Sequence, residues 1–88
     1  MDKVTVLNWM YNLILDKHVR TWERQLLQIS KEQIEGGQSL ARTLEELEFA
    51  LRPLALRSNL TPKVAEFYQA ISNQHLFGNG VGGMLPND

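Results

Sequence analysis

The sequence predicts an all-α fold: an antiparallel helical hairpin with a long first helix and a third helix docked on it. Three observations predict this class. Residues 1–35 contain no glycine and no proline, leucines recur at helical spacing after residue 40, and no segment sustains the alternation of a β-strand. A chain of 88 residues suffices for one small domain. We expect that domain over residues 1–77, followed by a flexible glycine-rich tail over 78–88.

The first helix is predicted over residues 3–35, because the first strong helix-breaking signal is the pair Gly36–Gly37. At about 100° per residue, one narrow sector of this helix is apolar along its whole length. That sector contains Val4, Tyr11, Leu15, Trp22, Leu26 and Ile29. We expect it to face the core and to pack against the second helix, since a short connection favours antiparallel neighbours.

The second helix is predicted over residues 39–57, with Ser39 as its N-cap. Its leucines alternate between spacings of four and three residues and form a seam suited to helix packing. The seam contains Leu40, Leu44, Leu47, Leu51 and Leu54. Phe49 and Leu56 lie opposite the seam. Pro53 is expected either to kink the helix or to begin a short new segment.

The third helix is predicted over residues 62–77. Thr61 supplies a capping hydroxyl and Pro62 occupies the first helical position, where proline is favoured. One side of this helix is apolar and contains Val64, Phe67, Tyr68 and Ile71. The helix should therefore dock by that single side.

The side of the first helix opposite its expected core stripe is also apolar at its start. It contains Val6, Trp9 and Leu13, with Leu27 further along. Clustered apolar side chains outside a core indicate a binding surface. We expect these residues to contact a partner, with Arg20 and Arg24 as the polar rim. The alternative is that the third helix covers the cluster within the monomer.

These features predict a non-enzymatic protein–protein interaction module, such as an adaptor, a small chaperone or a regulator, acting as a homodimer. The alternative is a small dimeric nucleic-acid-binding regulator that uses a basic line on the first helix. That line contains Lys17, Arg20, Arg24 and Lys31. The net charge of −1 is spread evenly, and the third helix has Lys63 as its one basic residue, which weighs against nucleic acid. Interspersed acidic residues weigh against a membrane surface.

No catalytic, cofactor-binding or metal-binding residue is predicted. The chain has no cysteine, and its histidines, His18 and His75, show no metal-binding spacing. No carboxylates are placed as a catalytic pair, and the glycine-rich tail follows a helix rather than a strand, unlike a phosphate-binding loop. The start of the chain lacks the pattern of a secretory signal, so we expect a cytoplasmic protein.

Overall fold

The computed structural model describes residues 2–78, with side chains through Asn73. Four helices and no strand occur in this part of the chain. Their bounds are α1 Lys3–Leu15, α2 Thr21–Glu35, α3 Leu40–Leu56 and α4 Pro62–Gly78. The all-α class is confirmed, whereas the prediction of three helices is wrong. Apart from Gly78, the predicted tail lies outside the described residues.

The segment predicted as one helix over 3–35 is broken at residues 16–20. Asp16 is extended (φ −75°, ψ 122°), and its carboxylate accepts a hydrogen bond from the backbone N–H of His18 at 2.8 Å. Arg20 then caps α2, with the Glu23 carboxylate accepting from the Arg20 N–H at 2.9 Å. Side chains thus satisfy the backbone groups that a helix break leaves unpaired, so neither glycine nor proline is needed.

The end of α2 and the start of α3 lie where the local sequence predicts them. Gly37 adopts φ +107°, and the N–H of Gln38 donates to the Gln33 carbonyl at 2.9 Å, which closes α2 in a Schellman motif. Ser39 caps α3 by accepting from the N–H of Arg42, as predicted. α3 continues through Pro53 to Leu56, so Pro53 does not begin a separate segment.

Each helix packs against the next one along the chain, and α1 also contacts α4. Two contacts show that α1 and α4 run in opposite directions. Asp16 at the end of α1 pairs with Lys63 at the start of α4. Earlier in α1, the Trp9 ring meets the Phe67 ring edge-to-face, with centroids 5.0 Å apart. This closes the bundle around a core.

The core confirms the predicted apolar sides of α3 and α4, but the buried faces of α1 and α2 differ from the predicted stripe. The buried apolar residues of α3 and α4 are Leu44, Leu47, Leu51, Val64, Phe67 and Ile71. The expected core stripe of α1 and α2 is wrong at four positions, since Val4, Tyr11, Leu15 and Ile29 are exposed. Trp22 and Leu26 are half-buried. α1 presents the opposite face to the core, whereas the buried face of α2 is turned by about 100° from the predicted stripe, or one residue along the helix.

Candidate functional site

The predicted apolar contact residues lie in the core. Val6 is fully buried, Leu13 is 3% exposed and Leu27 is 1% exposed, so their expected exposure is wrong. Trp9 is half-buried against Phe67 of α4. The last predicted helix therefore covers this cluster within the monomer, which was the alternative interpretation. These side chains are not available to a partner in this conformation.

The two predicted rim arginines have intramolecular roles. Arg24 donates through Nε to the Ile14 carbonyl at 2.8 Å, and through Nη2 to the carbonyls of Asp16 at 2.9 Å and Val19 at 2.8 Å. It thereby binds carbonyls at the end of α1 and in the connection to α2. Arg20 donates through Nη1 to the Asn59 carbonyl. Both guanidinium groups stabilise connections between helices.

The continuous basic line required by the nucleic-acid alternative does not exist, because its residues span the break between α1 and α2. Lys31 Nζ lies 2.7 Å from a Glu35 carboxylate oxygen and 5.8 Å from the centroid of the Tyr11 ring. Lys17 lies in the turn rather than on a helix. The cations are thus dispersed, and Arg24 and Lys31 are already engaged.

A polar cluster joins the α1–α2 connection to the start of α4. Asp16 accepts from Lys63 Nζ at 3.0 Å and from the N–H of His18. The His18 N–H and then the Lys63 ammonium hold the pKa of Asp16 at about 2, below its usual 3.8. The buried Glu23 carboxylate accepts from the N–H and the hydroxyl of Thr61. These bonds set the angle at which α4 meets the first two helices.

An exposed apolar surface remains on the opposite side of α1. Val4, Tyr11 and Leu15 are spaced by seven and four residues, so they project from one line of the helix. Val4 is 66% exposed and Leu15 is 64% exposed. With Ile14 of α1 and Ile29 of α2, these residues define what we call the α1–α2 surface. Clusters of this kind indicate interaction sites.

The α1–α2 surface contains an open groove of about 510 Å³. It is lined by Ile14, Arg24, Gln25, Gln28 and Ile29. The isoleucines offer apolar contact, whereas Gln25 and Gln28 supply amide donors and acceptors at the rim. A groove of this size and lining can receive apolar side chains of a partner.

The α1–α2 surface was missed because α1 is apolar around most of its circumference. Its buried Val6 and Met10 differ little in hydropathy from its exposed Val4 and Leu15, so the pattern alone does not fix the rotation of the helix. In α2, the buried side includes the charged residue Glu23, so the hydropathy pattern does not identify that side as part of the core.

Within the described part of the chain, no three metal-ligating side chains come together. None of the described helices is both long and apolar enough to span a bilayer.

The helical bundle and its exposed apolar groove define a small protein-interaction module. The chain belongs to the bacteriocin immunity protein family, whose model matches residues 1–76. No curated protein and no solved structure gives a significant match. The family match agrees with the predicted protein-interaction role.

Proposed function

We propose that this chain protects against a bacteriocin by binding it without catalysis, and that the α1–α2 surface is the contact. The family match over residues 1–76 supports the immunity role. The observations that support the location are the exposed line of Val4, Tyr11 and Leu15 on α1 and the groove that Ile14 and Ile29 line. Adaptor and regulator roles of a more general kind are not needed to account for this surface.

The α1–α2 surface suits a helical or extended segment of the bacteriocin. Leu15 follows Val4 by eleven positions, which corresponds to roughly 16 Å at the helical rise of 1.5 Å per residue. That length matches about three turns of a partner helix. Complete burial of a leucine or an aromatic side chain contributes about 1.5–3 kcal/mol before the costs of association. A few such contacts are enough for a specific complex.

The Tyr11 ring has one charged neighbour on α2. Lys31 lies over the ring, and its ammonium is itself paired with Glu35. A side chain that is already restrained loses less entropy on binding. Homodimerisation is not part of the proposal, since the cluster that suggested it lies in the core.

The test begins with survival of a bacteriocin-sensitive strain that expresses the chain, challenged with a panel of purified bacteriocins. We expect protection against at least one of them. The double variant Tyr11→Asp/Leu15→Asp should lose most of this protection, because it places two charges on the contact surface. The matched control Gln69→Asp/Asn73→Asp adds the same charge to exposed positions of α4 and should protect like wild type.

Purified chain is then titrated with the bacteriocin that it protects against. Saturable binding that the Tyr11/Leu15 variant weakens by at least about tenfold, or 1.4 kcal/mol, is the expected result. Protection without measurable binding would remove the direct-binding step. Unchanged protection in the Tyr11/Leu15 variant would place the contact elsewhere, and sensitivity to every bacteriocin in the panel would contradict the immunity role.

A further inference from the structure

The connection between α1 and α2 differs in its backbone from the other two connections between helices. Gly37, between α2 and α3, has φ +107°, and Ser58, between α3 and α4, has φ 54° with Pro62 at the start of the next helix. Residues 16–20 contain neither glycine nor proline, and none of them has a positive φ. A left-handed residue or a proline ends a helix. The α1–α2 connection lacks both, so its residues are able to join the two helices into one.

Two backbone N–H groups of this connection bind carboxylates rather than carbonyls. The N–H of His18 donates to the Asp16 carboxylate at 2.8 Å. The N–H of Arg20 donates to the Glu23 carboxylate at 2.9 Å. In a helix, each N–H donates to the carbonyl four residues earlier. Side chains therefore take the place of helical hydrogen bonds at both residues.

The two carbonyls that these N–H groups would bind in a helix are also held by a side chain. They belong to Ile14 and Asp16, which precede His18 and Arg20 by four residues. Arg24 donates to these carbonyls at 2.8 and 2.9 Å. Without the side-chain bonds, the same four backbone groups pair with one another as two hydrogen bonds of a continuous helix. The bent and the continuous connection thus satisfy these groups in two alternative ways.

A continuous helix over residues 3–35 also keeps the buried and the exposed faces apart. At about 100° per residue, the buried residues of α1 and α2 fall within one sector of about 160°. The exposed apolar residues fall within a sector of about 40° outside it, and they are Val4, Tyr11, Leu15 and Ile29. Straightening the connection therefore does not place an exposed residue on the side that needs cover.

A straight connection removes α1 from its own bundle, because α1 and α2 are antiparallel neighbours in the bent chain. Tyr11 lies against Lys31 and Ile14 lies against Arg24, so one helix ascends as the other descends. Removal exposes the buried side of α1 and the surfaces of α2 and α4 that covered it. A second copy of the chain offers the same surfaces, so it can bury both again.

We propose that two copies of this chain exchange α1, with residues 16–20 becoming helical in each copy. α1 of one copy then packs on α2 and α4 of the other, and the edge-to-face contact of Trp9 with Phe67 forms between copies. The core contacts are shared by both forms, so the balance lies between the added helical bonds, the lost side-chain bonds and the entropy of association. The proposal does not depend on the proposed function.

Refolding of the full chain from urea at millimolar concentration, followed by size-exclusion chromatography, tests the exchange. We expect a dimer fraction that rises with the protein concentration during refolding. Asp16→Ala should raise the association constant at least about tenfold, because it removes the carboxylate that holds the His18 N–H in the bend. Glu66→Ala, at an exposed position of α4, is the control for a lost carboxylate and should dimerise like wild type.

Lys17→Pro should abolish the dimer and leave the monomer folded. Asp16 is extended, with φ −75° and ψ 122°, as is favoured before proline. Lys17 is the second residue of a turn in which the Val19 N–H donates to the Asp16 carbonyl, and proline is favoured there. In a continuous helix, proline at this position removes the bond to the Leu13 carbonyl and collides with it. The matched control, Lys17→Ala, should dimerise at least as readily as wild type.

Spin labels at Thr5→Cys and Glu32→Cys report the shape of one chain, because the sequence contains no other cysteine. The labelled chain is refolded with an excess of unlabelled chain, and the dimer is isolated. Glu32 follows Thr5 by 27 positions, which corresponds to roughly 40 Å along a continuous helix. In the monomer, both sites lie at the same end of the antiparallel α1–α2 pair, so a much shorter distance is expected.

Three results would each overturn the proposal. The first is that wild type and Asp16→Ala both remain monomeric after refolding at millimolar concentration. The second is that Lys17→Pro dimerises like wild type, which would show association without a continuous helix. The third is a dimer that retains the short distance between the two labels, which would show that α1 stays in its own bundle.

Discussion

The buried carboxylate of Glu23 caps the start of α4 from another helix. Its oxygens accept from the Thr61 N–H at 2.9 Å and from the Thr61 hydroxyl at 2.6 Å, and one of them also accepts from the Arg20 N–H. Glu23 therefore caps two helices at once, α2 through Arg20 and α4 through Thr61. The Thr61 bonds are thus a buried polar link between α2 and the start of α4.

Replacing Glu23 with alanine should destabilise the fold by about 2–4 kcal/mol, because it leaves the buried N–H and hydroxyl of Thr61 and the part-buried N–H of Arg20 without their acceptor. Urea unfolding followed by circular dichroism measures the change. The control is Glu32→Ala on the exposed side of α2, where we expect an effect within about 0.5 kcal/mol. Equal effects of the two substitutions would show that the Glu23 bonds add nothing to stability.

The orientation of α1 is tested by two leucines on opposite faces of the helix. Leu13→Ala should cost about 2–4 kcal/mol, since this side chain is in the core. Leu15→Ala should cost less than about 0.5 kcal/mol, since this side chain is exposed. The residue type and the helix are the same, so the difference reports burial. If Leu15→Ala were the more destabilising substitution, the rotation of α1 predicted from the sequence would be correct.

Asp16 makes stability depend on pH in the acid range. Its pKa is about 2 in the folded chain and 3.8 as an ordinary value, so its bonds contribute stability above pH 4. That contribution is lost as the pH falls from 4 through 2, when the carboxyl becomes protonated. The melting temperature of wild type should therefore fall more steeply over this window than the melting temperature of Asp16→Asn. Parallel curves for the two proteins would contradict the assigned pKa.

Ser58 adopts a left-handed conformation, with φ 54°, at the end of α3. The N–H of Asn59 donates to the Leu54 carbonyl at 2.8 Å, as in a Schellman motif, whose preferred residue at this point is glycine. Ser58→Gly should therefore raise the free energy of unfolding by about 0.5–1 kcal/mol. Asn59→Gly, one residue on and without a positive φ, should lower it. Destabilisation by both would show that the backbone strain at Ser58 is negligible.

Much of α3 and α4 could be predicted from local sequence. Ser39 and Thr61–Pro62 mark their starts, and the leucine seam of α3 and the Val64–Ile71 side of α4 correctly indicate their buried faces. These signals are local because caps and proline act within one turn, and an amphipathic helix carries its orientation in its own residues.

The first 35 residues determined that this part is helical and apolar enough to need neighbours on more than one side. Only the tertiary structure decided where it breaks and which face is buried. The carboxylates of Asp16 and Glu23 satisfy backbone N–H groups at the break, and the same two carboxylates bind Lys63 and Thr61 far along the chain. The buried face depends on Phe67 packing against Trp9, since apolar residues lie on both sides of α1 and hydropathy does not rank them.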